Sequence, residues 1–122
     1  MAYQSFEDLE VWKKSRELKI EISVLARTFP PEEKYRLADQ LIRSSRSVNS
    51  QIAEGHGRRT NPDKLRFCII ARGSLSETLN HLIDACDEKY IEQEQLIYFR
   101  NKIAEVERLL SGYITYLEKK NK

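Results

Sequence analysis

Apolar positions along the chain recur at helical spacing, and turn-forming residues cut the pattern into four segments. In the first, Leu9, Trp12, Leu18, Ile22, Leu25 and Phe29 fall three or four apart, except for a gap between Trp12 and Leu18. Ser5 and Asp8 read as the start of this helix, a hydroxyl cap followed by an acid in the first turn. Pro30-Pro31 stops it and opens the next, because proline lacks the N–H that a helix interior uses but is tolerated in a first turn. The second segment carries Tyr35, Ala38, Leu41, Ser45, Val48 and Ile52 on one stripe. It runs to Gly55-His56-Gly57, where a glycine is expected in the left-handed conformation that ends many helices. Asn61-Pro62 opens the third as cap and first helical residue, and Leu65, Cys68, Ile69, Leu75, Leu79, Leu82 and Cys86 line its apolar side to about Lys89. The pattern resets over Tyr90 to Glu94, after which Leu96, Phe99, Ile103, Val106, Leu110, Ile114 and Leu117 make the cleanest stripe of all.

No stretch alternates with period two for long enough to predict a strand. The expectation is an all-α protein, a single domain over 1–122, with helices near 6–28, 32–54, 62–89 and 93–119. Helices of such length joined by short loops pack as an antiparallel up-down-up-down four-helix bundle.

Composition narrows this further. Four glycines and three prolines in 122 residues are too few for the turns of a many-stranded sandwich or barrel. The longest apolar run, Phe67 to Ala71, is five residues, against the ~20 of a membrane-spanning helix. With no secretory pattern after Met1, the expected location is the cytoplasm. Cys68 and Cys86 are 18 positions apart on one helix, roughly 27 Å, beyond the reach of a disulfide. They read as two small core residues, and no Cys/His spacing suits zinc.

Charge changes the picture more. Residues 43–72 carry seven bases against Glu54 and Asp63, whereas 73–95 carry Lys89 against six acids. Six of the seven bases are arginine, whose planar fork suits phosphate. Arg43, Arg46, Arg58, Arg59, Arg66 and Arg72 are therefore candidate nucleic-acid contacts at an electropositive end of the bundle, with Arg58 and Arg59 expected to be the most accessible. His56, between two glycines, is expected to be exposed there. Gly55, Gly57 and the start of the third helix add backbone N–H groups.

Gly73 lies in mid-helix, at a cost of ~1 kcal/mol against alanine, and close approach of the second helix would explain it. If the hairpin is centred near Arg58, Gly73 lies level with Arg43 and Ser44, and Glu77 contacts Arg43 or Gln40. Nothing in the chain points to an enzyme. His56 and His81 do not form the paired Glu-x-x-His motifs of a di-iron bundle, Glu77 and His81 suggest a surface contact, and neither a P-loop nor a nucleophile elbow occurs. No metal or cofactor is expected.

Several blocks carry a resemblance: Phe6-x-Asp8-Leu9-x-Val11-Trp12, Phe29-Pro30 through Glu33, Gln40-Leu41-x-Arg43, Ile52-Ala53-Glu54-Gly55-x-Gly57-Arg58 and Ala71-Arg72-Gly73-Ser74-Leu75-x-Glu77. In order and over nearly the whole chain, they resemble the four-helix-bundle proteins encoded in intervening sequences of bacterial 23S ribosomal RNA genes. That family is similar to the accessory variability determinant of diversity-generating retroelements, a homopentameric ring that binds nucleic acid and a reverse transcriptase. The resemblance implies the bundle fold and a homopentamer. Gln51, Arg46 and Asn49 depart from the family's usual asparagine, aliphatic residue and proline. Asn49 in place of proline implies a straighter second helix.

Two functions remain open. One is a non-enzymatic homo-oligomer binding RNA or DNA through the arginines. The other is an interaction scaffold whose arginines pair with Asp84, Asp87 and Glu88 of a neighbouring subunit.

Overall fold

This computed structural model describes residues 5–120, most of which lie in α1 (Glu10–Ala26), α2 (Leu37–His56), α3 (Asn61–Asp87) and α4 (Gln93–Lys120). Among the described residues there is no strand. Each helix packs on its neighbours in chain order and α1 closes on α4, with no close backbone approach across either diagonal. Ser44 meets Thr78, Ser47 meets Ser74 and Gly55 abuts Phe67, so α2 and α3 run antiparallel. Lys14 with Glu105 and Glu21 with Lys102 show the same for α1 and α4.

The core follows the apolar stripes. All seven positions of the α4 stripe are buried, and Leu18, Ile22, Leu41, Val48, Ile52, Leu75 and Leu82 are sealed between the helices. The gap in the α1 stripe is filled by a polar residue. Ser15 is buried there, and Asn49 of α2, also buried, donates through Nδ2 to Ser15 Oγ at 2.7 Å and to the Trp12 carbonyl at 3.2 Å. α2 continues through Asn49 without a break.

Four helix ends differ from the expectation. Ser5 and Asp8 do form a reciprocal cap, but on a short 3-10 turn, Phe6–Asp8. Leu9 is extended, so α1 begins at Glu10. Pro31–Glu33 is likewise a 3-10 turn, and Arg36, with φ −122° and ψ −109°, delays α2 to Leu37. Tyr35 therefore falls outside the helical stripe and is 83% exposed. The cap of α3 is Thr60, whose Oγ1 accepts the Asp63 N–H at 3.3 Å, not Asn61.

Gly57 is right-handed, with φ −79°, and the left-handed residue is instead Lys89 after α3, with φ 65°. There Lys89 N–H donates to Cys86 and Tyr90 N–H to Ala85, at 3.0 and 2.9 Å, which satisfies the last carbonyls of α3 in a Schellman arrangement. A side chain in this conformation costs roughly 1–2 kcal/mol. Tyr90 holds it in place by donating its hydroxyl to Glu33 at 2.7 Å and packing 5.5 Å from the Phe29 ring.

The α2–α3 hairpin is staggered. Its contacts pair residues whose numbers total about 122, not the 116 of a hairpin centred on Arg58. The start of α3 thus overhangs the end of α2 by about five residues, roughly 7 Å. This shifts Gly73 level with Asn49 and Glu77 level with Ser45. Gly73 is exposed and a methyl group there would meet nothing within 4 Å, so close helix approach is not its reason. Glu77 does not reach Gln40 or Arg43; it lies 3.2 Å from His81 Nε2. Because Gly73 only weakens its helix, Gly73→Ala is expected to raise the unfolding free energy by about 0.5–1 kcal/mol, measured by urea denaturation. A loss of stability would show that Gly73 makes a contact outside this chain.

Candidate nucleic-acid interface

Exposed arginines remain on the folded surface, but they do not gather at one tip. Arg43 lies roughly 20 Å along α2 from His56, and Arg72 roughly 16 Å along α3 from Asn61. Rotation separates them too. Arg46 precedes Asn49 by three residues and so sits near the side of α2 that meets α1. Arg72 precedes Ser74 by two, roughly 200° around α3 from the side that meets α2, which turns it to the α4 flank.

Three of the six are engaged by acids of their own helix or turn. Arg43 pairs with Asp39 at 3.6 Å. Arg58, expected to be among the most accessible, is the most engaged: it contacts Glu54 at 2.6 Å and Asp63 at 3.7 Å, with its guanidinium 4.5 Å from the centre of the Phe67 ring. Arg66 donates to Asp63 at 2.8 Å and approaches the same ring at 4.8 Å. Beneath them Gly55 is buried, and a methyl group on it would lie 2.9 Å from Phe67 Cβ. Gly55 is thus the close-approach glycine, and Arg58 and Arg66 clasp the turn above it.

Arg46, Arg59 and Arg72 are exposed and have no carboxylate partner among the described residues. Such surface pairs as the others make are worth only ~0–1 kcal/mol each, so a polyanion could compete even for Arg43. His56, the last residue of α2, is half-buried rather than open. Burial and the neighbouring Lys64 charge lower its pKa, although Asp8 acts in the opposite sense.

Other candidate chemistry is accounted for structurally. Burial pushes the Cys68 thiol up to about 11, so it stays protonated in the core, and Cys86 is also free. Among the described residues no group of His, Cys, Asp or Glu could hold a metal ion, and no helix is long and apolar enough to cross a membrane. The residues that sequence alone did not single out are Lys64 and Lys120, which face one cleft beside the α2–α3 turn. They lie 56 positions apart in sequence, and only the fold joins them.

The sequence profile described as 23S rRNA-intervening sequence protein matches residues 7–112. The chain belongs to that family. A crystal structure of a protein of unknown function from the S23 ribosomal protein family of Bacteroides thetaiotaomicron is similar, with TM-score 0.79 and 28% identity over 85% of this chain and 97% of that one. No curated protein matches the chain. In this 23S rRNA-intervening sequence protein, two of the three departures from the usual pattern acquire a structural meaning. Asn49 supplies the buried link from α2 to α1, and Arg46 places an unpaired charge on that flank. Gln51 has a buried Oε1 without a hydrogen-bond partner, and nothing in the structure explains it.

Proposed function

We propose that this intervening-sequence protein is a non-enzymatic, self-associating bundle that binds nucleic acid, structured RNA in particular, through its unpaired arginines. The observation that carries this reading is the exposure of Arg46, Arg59 and Arg72 without a carboxylate partner among the described residues. Each cation placed on a phosphate releases condensed counterions, so binding weakens with salt by a slope of ~0.7–0.9 per contact. In a homo-oligomer the dispersed arginines repeat in every subunit, and weak contacts add through effective concentration.

A scaffold reading is favoured by Asp84, Asp87 and Glu88, which are exposed and have no cationic partner among the described residues. The triple variant Arg46→Glu, Arg59→Glu and Arg72→Glu separates the two. For nucleic-acid binding, filter titration against structured RNA is expected to show at least a tenfold loss at low salt and a slope shallower by about two, with unchanged size by light scattering. Dissociation of the assembly together with no RNA binding by the unmodified protein would support the scaffold instead.

A further inference from the structure

Where the start of α3 overhangs the end of α2, a cleft of about 550 Å³ opens toward the last turns of α4. His56, Asn61, Lys64, Tyr113, Tyr116 and Lys120 line it. The two tyrosine rings lie nearly parallel, 13° apart, with centres at 6.4 Å. Tyr113 is the half-buried one, and Tyr116 keeps about half of its surface open. Lys120 Nζ stands 5.2 Å from the centre of the Tyr116 ring. Lys64 Nζ is anchored by donating to the His56 carbonyl at 2.8 Å, which fixes its charge in the cleft while leaving two of its N–H groups for another acceptor.

We infer that this cleft is a subsite for one unpaired nucleotide, with its base laid against Tyr116 and its phosphate between Lys64 and Lys120. The volume lies in the range of small-molecule pockets. Stacking of a base on an aromatic ring outweighs an exposed cation–π contact, so a base displaces the Lys120 ammonium from the ring, and the freed charge turns to the phosphate. The Asn61 amide offers both donor and acceptor to a base edge. Burial and Lys64 hold His56 toward its neutral form, in which one ring nitrogen donates and the other accepts. A base inside a duplex is already stacked on both faces and cannot enter.

The inference rests on the nucleic-acid reading above and adds to it a preference for unpaired residues at this end of the bundle. Its test is fluorescence anisotropy with a short single-stranded RNA and with the same strand annealed to its complement. Tyr116→Ala is expected to lose about tenfold in affinity for the single strand with little change for the duplex, whereas Tyr116→Phe retains both. Lys120→Gln is expected to weaken the single strand and flatten its salt dependence. An unchanged melting curve confirms that Tyr116→Ala folds. Equal loss on both RNAs, or no loss on the single strand, overturns this subsite while leaving polynucleotide binding in place. Failure of the unmodified protein to bind either RNA overturns both readings.

Discussion

Asn49→Asp is expected to destabilise the bundle by about 2–4 kcal/mol at neutral pH, although it changes almost no volume. Asn49 is 4% exposed and its amide donates to both Ser15 Oγ and the Trp12 carbonyl. A carboxylate cannot donate, so aspartate would face the Trp12 carbonyl with no proton between them while carrying a charge in a buried site, met only if the Ser15 hydroxyl turns from Trp12 toward it. Leaving buried polar groups unsatisfied costs ~1–3 kcal/mol, more when one is charged. Asn49→Ala loses the same two bonds and leaves a small cavity, for a comparable ~2–3 kcal/mol. Ser15→Ala costs less, because Asn49 keeps its bond to Trp12. Urea denaturation followed by circular dichroism orders the three variants. An Asn49→Asp protein as stable as the parent would show that the amide donors are not what holds α1 to α2.

Gly55→Ala is expected to lower stability by up to about 2 kcal/mol, opposite in sign to the change at Gly73. Alanine gains ~1 kcal/mol of helix propensity at either position, so the surroundings decide the outcome. At Gly55 the new methyl group would lie 2.9 Å from Phe67 Cβ and 3.4 Å from the Lys64 carbonyl. Neither atom can rotate away, since a Cβ moves only with its backbone. The α2–α3 pair must therefore separate locally, and overpacking of this kind costs ~1–3 kcal/mol. The separation would also loosen Phe67 under the Arg58 and Arg66 guanidiniums. Paired thermal melts of Gly55→Ala and Gly73→Ala test the contrast directly, and stabilisation by both would remove the argument for close approach at Gly55.

The period of the apolar residues made the four helices legible, and it did so best in α4, where no polar residue interrupts the buried stripe. α1 was harder because Ser15 occupies a core position, and its partner Asn49 is more than thirty residues away in sequence. The position of the α2–α3 turn could be read from Gly57 and Pro62, but the stagger of the hairpin could not. That stagger depends on how residues 57–60 climb between helices, and it moved both Gly73 and Glu77 away from their expected neighbours. The local engagement of Arg43, Arg58 and Arg66 was within reach of sequence. Asp39, Glu54 and Asp63 precede them by three or four residues, the spacing at which helical side chains meet. The convergence of Lys64 with Tyr116 and Lys120 had no such signal, because it arises only when the first turn of α3 and the last turns of α4 come together.

The hydroxyl pairs along the α2–α3 seam have a consequence for folding as well as for stability. Ser44 receives the Thr78 hydroxyl at 2.9 Å, and Ser47 lies 2.9 Å from Ser74, one turn further along. Apolar side chains alone tolerate sliding of one helix past another, since one methyl group substitutes well for the next. Slippage by a turn would separate these oxygens and bury some of them against hydrocarbon, an outcome far less tolerant of error. The seam thus acts as a vernier, in which a few matched polar marks single out one alignment from several compact states of similar hydrophobic burial.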